Sequence, residues 1–270
     1  MRKITNLPEK PTPNLETLAR RSYDKFGAKY QKTRDERRAE RAFNEFLELP
    51  AMISSVGQIK GKRLLDVGCG AGIHLKEYLK KGAICKGLDI SKTMISLARK
   101  NCKNVEFQIG SVSKLPYKSS SFEIVTASLC IDYVDDINLV FKEINRVLVK
   151  GGLFYYSIDS PVWCMREKIE DDELKISGVG EFINKKTGRR VLVGRAFKDH
   201  ILEWDMLPGM IMKTYQRTFR TLLLALVKNG FELVDFIDCK PIPAFKKYNP
   251  AKYDIFTRLP IFSIYILKKK

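Results

Sequence analysis

Only two histidines occur among the 270 residues, and the six cysteines (69, 85, 102, 130, 164 and 239) form no C-x-x-C pair. That scarcity argues against a zinc site and leaves no metal to expect. The cysteines sit mostly inside apolar stretches, which reads as reduced, buried thiols. No apolar run approaches the ~18–20 residues of a membrane helix; "TLLLALV" (221–227) is flanked by Arg220 and Lys228. The N-terminal "MRKITNLPEKPTPN" is basic and proline-rich but lacks the apolar centre of a secretory signal. The expectation is a soluble, cytoplasmic protein with no membrane span. A hydrophobic share of 44% beside 30% charge excludes wholesale disorder, and the length suffices for one large domain with an insertion.

Acidic residues are the minority: 49 Lys and Arg against 31 Asp and Glu leave a formal charge of +18. Such a balance suits anionic partners, whether nucleic acid, nucleotides or phosphorylated metabolites. It also suits a plain basic surface. The charge is spread, with denser spots at "RDERRAER" (34–41), "NKKTGRR" (184–190) and the terminal "LKKK"; acids interleave in the first, as on a solvated helix face.

Residues 1–14 carry three prolines and little periodicity, and read as a flexible arm. From Leu15 to about Val56 the pattern turns helical, with Pro50 between two helices or at a helix start. Short apolar runs then alternate with helical stretches. Strands are expected at 63–68, 84–90, 105–110, 122–129, 153–159, 231–238 and 262–270, and helices at 72–81, 91–100 and 136–148. Nearly continuous apolar strands alternating with helices call for a doubly wound parallel sheet with right-handed crossovers. The last two strands, separated only by a loop, can pair antiparallel. Residues 188–205 read as a hairpin inside an insertion, and "KTYQRTFRTLLLALVKNG" (213–230) as one helix.

"LLDVGCGAG" (64–72) then stands at a strand-to-helix turn with three glycines in five positions. Glycine there lets the backbone turn tightly and lets a ligand approach where a Cβ would block it. The turn leaves helix N–H groups facing the crevice at the carboxyl edge of the sheet, where nucleotide-like ligands bind. Asp89 in "GLDIS" (87–91) ends the second strand about 20 residues later, placed to accept bonds from a ribose diol. Dinucleotide loops read G-x-G-x-x-G without a preceding acid. Here Asp66 lies two residues ahead of Gly68, which suits a cationic ligand and repels pyrophosphate.

These residues resemble the class I S-adenosylmethionine-dependent methyltransferases, specifically the small-molecule kind with a methyltransferase domain 11-like pattern. "LLDVGCGAG" is similar to the family's first motif and "GLDISKTMISLARK" (87–100) to its second. "GSVSKLPYKSSSFEIV" (110–125) and "RVLVKGGLFYYS" (146–157) are similar to later ones, and "YDKFGAKY" (23–30) resembles a helical cap. The resemblance covers residues 15–160 well and the last 60 moderately. It implies a seven-stranded Rossmann-like sheet, mostly parallel with the last strand antiparallel, an N-terminal helical cap and an insertion after the fifth strand. The corresponding division is an arm at 1–14, a cap at 15–56, a cofactor-binding domain at 57–160 and 214–270, and a lid at 161–213.

Carried over, Gly68, Cys69, Gly70 and Gly72 line the cofactor's methionine and ribose, with Asp66 receiving its amino group directly or through water. Asp89 takes the ribose hydroxyls, and Ile90 and Met94 flank the adenine. Gly110, Ser111 and Val112 meet the adenine edge, Ser128 and Leu129 lie near the sulfonium, and Tyr23 and Tyr30 close a lid. Three departures stand out: Ser111 replaces a common Asp, Lys150 a common Pro, and "CIDYVDD" (130–136) a His-rich stretch. Any base role there falls to Asp132 or Tyr133. His200, Trp204, Tyr215 and Arg217 are acceptor candidates, Arg217 as a clamp for an anionic one. The reading is methyl transfer to a small molecule. An RNA- or tRNA-modifying methyltransferase and a non-catalytic binder of S-adenosylmethionine or S-adenosylhomocysteine are the alternatives. Against the nucleic-acid reading, no appended RNA-binding module and no aromatic–basic alternation are visible.

Overall fold

The computed structural model describes residues 3–5, 14–36, 43–170, 175–184, 187–188, 190–195 and 197–270. Seven strands form the central sheet: β1 Arg63–Val67, β2 Ile84–Asp89, β3 Glu106–Ile109, β4 Phe122–Ser128, β5 Leu148–Asp159, β6 Phe231–Asp238 and β7 Phe262–Lys269. Their order is β6-β7-β5-β4-β1-β2-β3. Pairing is parallel from β3 through β5, and β7 runs antiparallel to both its neighbours. The seven-stranded sheet with an antiparallel last strand therefore stands as expected. Between β6 and β7 the chain forms a helix, Pro250–Arg258, in addition to the expected loop.

The strands at the centre are buried on both faces because helices cover both. Helix α1 spans Leu15–Glu36, α2 Leu49–Ser55, α3 Ile73–Lys80, α4 Lys92–Asn101, α5 Ile137–Val147 and α6 Phe219–Lys228. Helix α5 buries Ile137, Val140, Phe141, Ile144 and Val147, the i, i+3, i+4, i+7 stripe of an amphipathic helix. Phe141 meets Phe154, Tyr156 and Phe231 there. At about 1.5–3 kcal/mol for each fully buried large side chain, this stripe anchors one layer. The other layer packs Leu47, Met52, Leu75 and Tyr78 under the opposite face. Pro50 falls in the first turn of α2, where its missing N–H costs no bond. A single turn of π-helix, Asn44–Glu48, leads directly into it.

Strand order reverses at β1, whose neighbours are β2 on one side and β4 on the other. The crossovers from β1 and β4 leave in opposite directions, opening a crevice at their carboxyl ends. Helix α1 roofs this crevice. Asp24 accepts the Ser91 hydroxyl at 2.8 Å, and the Leu15 N–H donates to Asp135 at 3.0 Å.

The insertion after β5 contributes the second part of the roof. A hairpin of His200–Leu207 and Met210–Gln216 packs Met206, Leu207, Met210 and Met212 against Ala19 of α1. The arm expected over 1–14 lies mostly outside the described residues, but Lys3–Thr5 add an antiparallel strand beside 201–203. The helix expected over 213–230 is corrected. Met210–Gln216 are a strand with alternating burial, and the helix starts only at Phe219, where the Thr218 hydroxyl accepts the Thr221 N–H. Side-chain alternation through "MIMKTYQ" and a capping threonine outweigh the helical look of the run. The 188–205 hairpin is likewise redistributed, since Arg190–Val193 pair with Gly180–Ile183. All six cysteines are free thiols. No helix among the described residues is long and apolar enough to cross a membrane.

If Thr218 begins α6, Thr218→Ala should cost about 1 kcal/mol, read as a lower urea midpoint with unchanged slope.

Candidate functional site

The turn after β1 holds three left-handed glycines: Gly68, Gly70 and Gly72 have φ of +65°, +53° and +80°. Each is there for a different reason. A Cβ on Gly68 would stand 2.5 Å from Cβ of Cys130, so the bare backbone of the turn packs directly against the Cys130 side chain after β4. Gly72 is the N-cap of α3. A Cβ on Gly70 would meet nothing within 4 Å, because Gly70 faces a cavity.

Asp89 ties this turn to β2. Its Oδ2 accepts the Gly70 N–H at 2.9 Å and its Oδ1 the Ser91 N–H at 2.8 Å. The Cys69 N–H donates to Leu88 at 3.0 Å alongside. Burial pushes the Asp89 carboxyl up to about 6, against the pull of those two N–H groups. Each carboxylate oxygen can still accept a further bond from the cavity side.

The cavity measures about 660 Å³. One stretch of its wall is Asp89, Ile90, Met94, Gly110 and Val112; the next is Gly68 to Ala71 with Ser128 and Leu129. Leu129 sits at φ +49°, an uncommon conformation for a side chain of its size. Its N–H reaches both the carbonyl and the hydroxyl of Ser157 at 3.1 Å, which holds it there. From α1, Tyr23 contacts Tyr30 and Tyr133 edge-on, with ring centroids 5.9 and 6.2 Å away. Trp204, Met206, Leu207 and Thr214 of the hairpin complete the roof.

Four acids at or beneath the crevice are buried, and their environments separate them. Asp66 accepts the Thr126 hydroxyl at 2.7 Å, and burial raises it to about 6. Glu48 is fully buried yet lies below the usual carboxylate range. Burial is overcome there by His74 at 2.9 Å and by the hydroxyls of Ser157 and Ser128, each at 2.7 Å. Asp132 goes the other way: burial and the neighbouring Asp159 push it up to about 8, with Arg217 opposing from 3.8 Å.

Of the residues singled out in the sequence, the cavity wall contains Tyr23, Tyr30, Gly68, Cys69, Gly70, Asp89, Ile90, Met94, Gly110, Val112, Ser128, Leu129, Asp132, Tyr133 and Trp204. Six others lie elsewhere. Asp66 is beneath the turn and does not reach the wall, because its carboxylate points to Thr126 across the sheet. Gly72 caps α3. Ser111 donates to Glu16 at 2.6 Å, so α1 covers it. His200 faces a small separate cleft, where burial pulls its imidazole below the ordinary value. Tyr215 lies under the Arg217 guanidinium. The anion clamp expected at Arg217 is corrected: its N–H groups go to the carbonyls of Ile131 and Val134, and it is buried away from the cavity.

The sequence reading missed Glu48, His74, Glu16, Asp159 and Thr214. A histidine two residues past the glycine turn, in a chain with only two, was the one available signal. Glu48 and Glu16 come from helices whose docking no local pattern announces.

Residues 65–156 match the family described as methyltransferase domain. An uncharacterized protein of Haemophilus influenzae is 31% identical over 150 residues, 52% of this chain and 57% of that protein. The malonyl-[acyl-carrier protein] O-methyltransferase of Legionella pneumophila is 27% identical over 64% of this chain and 61% of its own length. The chain thus spans about half the length of the curated relatives it matches. The crystal structure of an S-adenosylmethionine-dependent methyltransferase from Mesorhizobium loti superposes with a TM-score of 0.65. The match is 24% identical and covers 82% of this chain and 96% of that one, which establishes a shared fold.

The glycine geometry makes a graded prediction. Gly68→Ala adds a clash to left-handed strain and should cost about 2–4 kcal/mol in denaturant melts, whereas Gly70→Ala, strained but unobstructed, should cost about 1–2 kcal/mol.

Proposed function

From the premise that residues 65–156 form a methyltransferase domain of the class I S-adenosylmethionine-dependent kind, we propose that this chain transfers a methyl group from S-adenosylmethionine to a small organic acceptor. The observation that carries the reading is the Asp89–Gly70 cradle. A buried carboxylate held by two backbone N–H groups faces a cavity beside a glycine whose missing side chain leaves room. A ribose diol fits such a carboxylate, and Ile90, Met94 and Val112 form an apolar slot for a purine beside it. When bound, S-adenosylmethionine supplies a methyl group already activated on a positively charged sulfur.

The chain's residues then have separable tasks. Asp89 accepts the ribose hydroxyls and so must be ionised. Tyr23, Tyr30 and Tyr133 line the cavity, and the faces of such rings favour a cation. Holding the acceptor at ~3–3.5 Å from the reacting carbon supplies much of the rate, and this falls to the walls built by Tyr133, Trp204 and Thr214. Asp132 stands on the same wall; with its carboxyl pushed up to about 8 it is largely protonated at neutral pH, and it receives a proton from an acceptor only in the ionised form it takes as pH rises through that value.

A small acceptor is supported by the roof. Helix α1 and the 200–216 hairpin both line the cavity, leaving a chamber suited to a metabolite-sized molecule. The acids on its wall, Glu16, Asp89, Asp132 and Asp159 among them, favour a neutral or cationic acceptor over the anionic one suggested by the chain's +18 charge.

Calorimetric titration tests the reading. S-adenosylmethionine and S-adenosylhomocysteine should bind and NAD should not, and Asp89→Ala should weaken binding by about 10–100-fold, the loss of charge-assisted bonds. Binding of NAD in their place, or of none of the three, would overturn the proposal. Affinity should also fall with pH below about 6, because the Asp89 carboxyl is raised to that value and its protonation removes an acceptor from the ribose.

A further inference from the structure

His74 has no part in the Asp89–Gly70 cradle. It lies in the first turn of α3, directly behind the glycine turn, and lines the cavity next to Ile73 and Ala71. Its Nε2 is bonded to Glu48 at 2.9 Å. Its Nδ1 has no hydrogen-bond partner among the described residues. The bond to Glu48 turns the ring, and Glu48 is itself fixed from the other side by Ser128 and Ser157 at the ends of β4 and β5. Glu48 belongs to the π-helical turn preceding α2, so the N-terminal part of the chain sets the orientation of this ring.

The charge state follows from the surroundings. Burial disfavours the imidazolium, but Glu48 in contact and Asp66 nearby outweigh it, while Arg34 opposes them; the result lies above the ordinary histidine value. Tyr78, with its ring 6.3 Å away, adds no charge at neutral pH. A protonated ring spends one N–H on Glu48 and has a second left over. A largely buried cationic N–H at a helix N-terminus, open to the cavity, suits an anion.

Asp66, the group expected to meet the amino-acid end of the donor, stays beneath the turn. Resting on the methyltransferase reading above, we infer that His74 is the receptor for the carboxylate of the donor's methionine moiety and that Glu48 is its positioning residue. The pair then selects nucleosides that carry an amino-acid carboxylate over those that have lost it. The interaction joins the π-helical turn before α2 to the glycine turn: the carboxylate meets His74, His74 meets Glu48, and Glu48 meets the ends of β4 and β5.

The experiment compares S-adenosylhomocysteine with 5′-methylthioadenosine, which keeps the adenosine and sulfur but lacks the amino acid. Both are titrated calorimetrically into the full chain and into His74→Gln and Glu48→Gln. His74→Gln should weaken S-adenosylhomocysteine by about 10–100-fold and leave 5′-methylthioadenosine within about twofold. Glu48→Gln keeps a hydrogen-bonding group but removes the charge. It should lower the His74 titration midpoint, read from the imidazole NMR signals, of which the chain has only two sets. For the unsubstituted chain, S-adenosylhomocysteine affinity should fall as pH rises through that midpoint, since the imidazolium is lost, while 5′-methylthioadenosine affinity should not. Equal losses for both nucleosides, or none for either, would overturn the assignment of His74 and leave the methyltransferase reading intact. Failure of both nucleosides to bind the unsubstituted chain would overturn the two together. If Glu48→Gln does not fold, the His74→Gln comparison and the pH series still decide.

Discussion

The site depends on one short tie, the pair of backbone N–H groups that Asp89 accepts from Gly70 and Ser91. Gly70 belongs to the turn after β1 and Ser91 caps the helix after β2, so a single carboxylate fastens two crossovers at the carboxyl edge of the sheet. Two things make this possible. The left-handed glycines bring the turn's N–H inward, and the parallel register sets β1 beside β2 with Val67 opposite Leu88. Without that register the carboxylate would meet no turn, and the crevice would have no floor.

The second constraint is the burial of charge. Glu48, Asp66, Asp89 and Asp132 are all at or below 8% exposed. Taking carboxylates out of water is costly unless each is paired or hydrogen-bonded, and each here is compensated differently. Asp89 uses backbone, Asp66 a threonine, Glu48 a histidine and two serines, and Asp132 an arginine that also holds the turn at 131–135. These compensations spread the four acids from below the ordinary carboxylate range to about 8. A site with that range can hold ionised acceptors and a neutral carboxyl side by side at one pH.

The roof shows where local pattern misleads. "KTYQRTF" reads as helix because its polar and aromatic residues recur at near-helical spacing. In the folded chain Met210–Gln216 pair with His200–Leu207, and the alternation that matters is that of the strand. Arg217 follows: seen as a free cation it suggests an anion clamp, yet the strand delivers it to the carbonyls of Ile131 and Val134, at the start and just past the end of the Ile131–Tyr133 turn, where it stabilises that turn from behind. Most predicted cofactor-side residues lie on the cavity wall because the strand–turn–helix unit that carries them is local in sequence. The acceptor-side candidates were scattered because they depend on how distant segments dock.

The sequence by itself determined the doubly wound sheet, the glycine turn and the carboxylate at the end of β2. Each is written in short-range terms: apolar runs of strand length, glycines where no other residue can turn, and an acid at a strand end. Only the tertiary structure decided which acids reach the cavity, that Asp66 stays beneath it, that Arg217 turns away, and that Glu48 reaches from the turn before α2 to His74. Those outcomes are contacts between residues 26 to 109 positions apart. They are fixed by packing and by the need to partner every buried charge, and neither leaves a periodic trace in the chain.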